Sequence, residues 1–129
     1  MKHFFLRTKD KTPVACVVSQ RLILPDNKDY IIFAVSAHNP EDRFSRKQAL
    51  FYAVQNFEKH GIILETRKGV KSDIIRTIAE NQALYPQRAR DAAKLWLKTQ
   101  EEALKRQIEY EDQLAAEEFA EYNVISENS

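Results

Sequence analysis

The run Val14-Ala15-Cys16-Val17-Val18-Ser19-Gln20-Arg21-Leu22-Ile23-Leu24, the cluster Pro25-Asp26-Asn27-Lys28-Asp29, and the run Tyr30-Ile31-Ile32-Phe33-Ala34-Val35 together decide the fold. Both flanking runs are β-branched and apolar, which suits strands. The polar cluster between them is turn chemistry. So short a link cannot form a parallel crossover, so the two strands must run antiparallel. Upstream, Phe4-Phe5-Leu6 begins another strand, and Thr8-Lys9-Asp10-Lys11-Thr12-Pro13 turns it into the first run. The expectation is a three-strand antiparallel meander.

Downstream, the segment His38-Asn39-Pro40-Glu41-Asp42-Arg43-Phe44-Ser45-Arg46-Lys47 reads as a helix entry. Asn39 fits an N-cap, and Pro40 fits the first helical position, where no N–H partner is needed. Glu41 and Asp42 complement the positive end of the helix dipole. This helix is expected to run to about residue 59, with Phe44, Leu50, Phe51, Ala53, Val54 and Phe57 on its apolar face. Gly61 is expected to end it in the left-handed conformation. Residues 62–66 then read as a fourth strand at the sheet edge. Ser72-Asp73 is expected to cap a shorter helix carrying Ile74, Ile75 and Ile78, which Tyr85-Pro86 breaks.

From Gln87 onward the chain holds neither Pro nor Gly. Ala93, Leu97, Leu104, Ile108, Ala115 and Phe119 fall at alternating gaps of 4 and 7, an 11-residue period that keeps one stripe on one helix face. Trp96, Ala103 and Leu114 widen it. At about 1.5 Å per residue a helix of about 35 residues is about 50 Å long, whereas a domain of this size has a radius of gyration near 14 Å. The far end of the stripe therefore calls for a partner, and the simplest is a second copy of the chain. Leu97, Leu104, Ile108, Ala115 and Phe119 are the expected oligomer interface. The division expected is an α+β domain over residues 1–85 and a long C-terminal helix with an acidic tail over 86–129.

The bulk composition sets outer bounds. At 129 residues, 43% hydrophobic and 30% charged, the chain suits one compact domain. It offers no apolar run long enough to span a membrane and no signal-peptide pattern at Met1-Lys2-His3. The single cysteine, Cys16, sits in an apolar run and reads as a buried inert thiol, which excludes an internal disulfide framework. A cytoplasmic location and no membrane partner are the expectations. The net charge of +1 hides an asymmetry: residues 1–106 carry +8, and residues 107–129 carry −7 with no Lys or Arg. Such a split suits an anion-binding body, or a basic patch meeting an acidic one on a neighbouring chain.

Enzyme signatures are mostly absent. Two glycines cannot build a phosphate loop, and His3, His38 and His60 lack metal-ligand spacing. No catalytic residue, metal or cofactor is expected. Arg43, Arg46 and Lys47 are different. Cations at a helix start oppose the dipole, and an anionic ligand would relieve the conflict. Phe44 among them could stack on a base, although an aromatic there also serves as core. Arg88 and Arg90 repeat the arrangement at the last helix. Arginines beside aromatics suit phosphate recognition with base stacking.

The segment over residues 39–47 resembles a pattern in small phage and prophage proteins: Asn or His, Pro, a charged residue and Asp, then an aromatic and two cations. It is similar to the Thoeris anti-defence family. That resemblance implies a non-enzymatic protein that sequesters a cyclic ADP-ribose signal between protomers. It carries Asn39, Asp42, Phe44, Arg46 and Lys47 over as ligand-binding candidates. The chain departs from the pattern at Ala49-Leu50, where Gly-Arg would stand, and lacks its later Gly-Arg-Leu. Two other functions fit the residues. One is a protein–protein inhibitor acting on a host protein through the acidic helix. The other is a nucleic-acid binder, whose binding would fall steeply with salt.

Overall fold

The computed structural model describes residues 1–39, 43–67 and 70–128, with residues 121–128 described by their backbone. The fold is α+β: β1 (Lys2–Arg7), β2 (Pro13–Ile23), β3 (Asp29–Ala37), α1 (Arg46–His60), β4 (Ile62–Glu65), α2 (Val70–Glu80) and α3 (Gln87–Asn128). The four strands form one antiparallel sheet in the order β1-β2-β3-β4, so the meander and the edge strand stand as expected. Lys11 (φ 68°) and Asn27 (φ 61°) take the left-handed conformation that closes the two tight turns.

Both sheet faces are covered. Strand alternation sends Ala15, Val17, Ile31 and Phe33 to one face, where they pack on Ile74, Ile75 and Ile78 of α2 and Ala89, Ala92 and Ala93 of α3. The alternate set, Cys16, Val18 and Ala34, packs on Ala53 of α1. Small residues at the contact let the helices approach closely. Burying a side chain such as Phe33 contributes on the order of 1.5–3 kcal/mol. Burial also pushes the Cys16 thiol up to about 11, so it stays protonated and inert at neutral pH.

Several local expectations are corrected. Helix α1 begins at Arg46, and its N-cap is Ser45, whose hydroxyl accepts from Gln48 N–H at 3.3 Å. Asn39 is therefore not the cap, and Pro40, Glu41 and Asp42 lie outside the described residues. Ser45-Arg46-Lys47-Gln48 is the stronger signal, because Ser followed three residues later by Gln is a capping-box pattern. Phe44 precedes the helix, and Phe51 is 57% exposed rather than core. Gly61 has φ −59°, not a left-handed value. Its small size is needed instead, since a Cβ there would stand 2.8 Å from Ile32 Cγ1 and 3.0 Å from the Phe57 carbonyl oxygen. Ser72 and Asp73 lie inside the first turn of α2 rather than capping it, and α2 stops at Glu80, before Tyr85-Pro86.

Strand β4 pairs with β3 only from Tyr30 to Phe33. Beyond that end, Asn56 of α1 donates to the Val35 carbonyl oxygen at 2.8 Å and ties helix to sheet. Two compact units result, residues Met1–Leu97 and Lys98–Ser129. The division falls within α3, because Ala89, Ala92 and Ala93 belong to the core of the first unit. In the second unit every residue from 98 to 120 is exposed. No helix among the described residues is long and apolar enough to cross a membrane.

Candidate functional site

Alternation along β1 places His3, Phe5 and Arg7 on the α1 face of the sheet and Phe4 and Leu6 on the other. A bulge between Leu6 and Arg7 shifts the register, so that Arg7 pairs with Pro13. Bulges of this kind re-aim a side chain. The Arg7 guanidinium carbon stands 5.9 Å from the Phe5 ring centroid, and Arg7 Nη1 donates to the Lys11 carbonyl oxygen at 3.1 Å.

A second guanidinium meets the same ring. Arg46, the first residue of α1, brings its Cζ to 5.7 Å from the Phe5 centroid. Phe44, half-buried, meets Phe5 edge to face at 5.9 Å and His38 at 5.2 Å. His3 closes the row, 5.9 Å from Phe5. The backbone at His38 is itself pinned, since its amide N–H donates to the Val14 carbonyl oxygen at 2.8 Å.

The electrostatics of this patch are one-sided. Among the described residues the ion pairs are Arg21–Asp29 and Arg76–Asp73, and neither involves Arg7 or Arg46. Stacking on Phe5 orients each guanidinium without neutralising it. Arg43 and Lys47 flank the patch and are exposed. Such a surface can offer planar donors to phosphate oxygens and an aromatic platform to a flat ring. Among the described residues no group of three or more His, Cys, Asp or Glu side chains could hold a metal ion.

The remaining candidates are dispersed. Asn39 lies exposed two residues beyond β3, and Asp42 lies outside the described residues. Arg88 lines a small hollow of about 190 Å³ with Thr8, Lys9 and Asp91. Arg90 is half-buried, and its Nε donates to the Tyr85 carbonyl oxygen at 3.1 Å, which fixes the turn into α3. Leu97 packs on the core of the first unit. Leu104 (59%), Ile108 (49%) and Phe119 (66%) are exposed, as is Ala115.

Phe5, Arg7, His3 and His38 were not among the sequence candidates. The alternation of His3, Phe5 and Arg7 along one strand was the available signal. It gains meaning only once Phe44 and Arg46 are seen to stand against Phe5. No protein-family model, curated protein or solved structure matches the chain.

Proposed function

We propose that the chain is a non-enzymatic accessory protein that sequesters a nucleotide-type anion, acting in the cytoplasm as a phage counter-defence factor. The observation that carries this reading is the Phe5 ring under two guanidiniums, Arg7 at 5.9 Å and Arg46 at 5.7 Å, with no carboxylate paired to either among the described residues. The resemblance of residues 39–47 to Thoeris anti-defence proteins supports a cyclic ADP-ribose-like ligand. Guanidiniums would hold its phosphates, while Phe44 and Phe5 would flank its base.

The patch is an open surface, and a second copy of the chain would enclose the ligand. The exposed apolar residues Leu104, Ile108, Leu114 and Phe119 supply the means of association. The same exposed helix supports a second reading, in which a host protein docks on the acidic stretch and is blocked.

Titration calorimetry against a panel of cyclic and linear nucleotides tests the first reading. Heat is expected with at least one cyclic, phosphorylated member, weakening as salt rises. Folded protein that gives no heat with any member would rule out a nucleotide ligand.

A further inference from the structure

We infer that a groove on the opposite face of the sheet, against α2, is a second binding site, for a small ligand with a terminal phosphate on a flat or apolar body, the nucleoside monophosphate class. It lies within the first unit and borders the Phe5 surface at His3, which lines the groove and also meets Phe5. Its volume of about 880 Å³ is that of a small-molecule site.

Ser19 is the first observation. It occupies the third inward position of β2, after Ala15 and Val17, where an apolar residue belongs. It is only 6% exposed and lines the groove. Among the described residues no side-chain hydrogen bond engages its hydroxyl. Its hydroxyl opens on the groove, where it can donate to a ligand oxygen.

The charge around Ser19 is the second observation. Four cationic side chains line the groove against one carboxylate, and Asp29 is already taken by Arg21 at 2.8 Å. Lys2, Arg67 and Lys71 remain. Lys2 sits directly opposite Ser19 in the β1–β2 register. Lys71 Nζ is held 5.0 Å from the Phe4 ring and 5.5 Å from the Trp96 ring, so its charge is positioned by aromatic faces. Arg67 is set by its backbone N–H, which donates to Asp73 Oδ2 at 2.9 Å. The first turn of α2 stands in the same wall and adds the positive end of its dipole. Phosphate is the group that this mixture of guanidinium, ammonium and hydroxyl donors fits, because it offers several acceptor oxygens in different directions. Phe4, half-buried, and Val70, exposed, leave an apolar strip for the rest of the ligand.

Calorimetry of the full chain with adenosine monophosphate, adenosine and inorganic phosphate tests this. Adenosine monophosphate is expected to bind, with adenosine and inorganic phosphate each at least tenfold weaker. Lys71→Met should weaken the monophosphate at least tenfold and Ser19→Ala about threefold or more. Lys59→Ala, at an exposed residue near the end of α1, should leave it within twofold. Arg67→Ala, at an exposed residue, gives the same tenfold readout should either inner variant lose its fold. Absence of monophosphate binding, affinity unchanged in Lys71→Met and Arg67→Ala, or loss of affinity in Lys59→Ala would each overturn the assignment. Those outcomes leave the reading of the Phe5 surface standing, because it is judged on cyclic ligands that have no terminal phosphate.

Discussion

Aspartate at both Leu104 and Ile108 is expected to turn the full chain into a monomer in sedimentation velocity, with cooperative thermal unfolding retained. These side chains are 59% and 49% exposed in the single chain, so the substitutions remove no core packing. The cost to a lone helix is small, about 0.5 kcal/mol each from propensity. The cost to an assembly is large. If two copies bury both residues, four side chains at about 1.5 kcal/mol or more each are lost, about 6 kcal/mol. That is about four orders of magnitude in the association constant, and the buried carboxylates add to it. Glu101→Gln, on the polar face, should leave association unchanged. A double aspartate variant that sediments as the parent does would remove Leu104 and Ile108 from the interface.

The second large effect concerns the Phe5 surface. Arg7→Ala combined with Arg46→Ala should lower affinity for a cyclic nucleotide at least hundredfold. Hydrogen bonds to charged groups are worth about 1.5–3 kcal/mol each, and two are removed. Folding stability should fall by about 1–2 kcal/mol, from the exposed Arg7 bond to the Lys11 carbonyl and the two guanidinium contacts with Phe5. Lysine at both positions keeps the charge and loses the planar fork and the stacking on Phe5, so only part of the affinity should return. Full affinity in the double alanine variant would place the ligand elsewhere.

The sheet was legible because its evidence is local. Alternating apolar residues, Pro25 to Asp29 as a turn, and a short connection leave one topology. The helix entry was half legible. Asn39-Pro40 matched a start by residue type, yet Ser45 supplies the cap that the chain uses. Residue preferences mark several permitted starts, and tertiary contacts choose among them. Here Phe44 packs on Phe5 and His38 before the helix begins.

The candidate site divides the same way. Arg46 and Phe44 were visible as a cation and an aromatic near a helix start. Their partners Phe5 and Arg7 are some forty positions earlier, on β1, where Phe44 and Arg46 meet the Phe5 ring. Ser19 carried a signal of its own, a hydroxyl at an inward position between strands of apolar residues. Its meaning depended on the groove between the sheet and the start of α2, which no strand pattern could reveal.

The central claim is that the chain holds a nucleotide-type anion and does not transform it. The direct test incubates the full chain with cyclic ADP-ribose, removes free ligand by desalting, denatures the protein and weighs what is released by mass spectrometry. The account predicts ligand retained in proportion to protein and released with its mass unchanged. Ligand that fails to stay with folded protein, or that emerges hydrolysed, would contradict it.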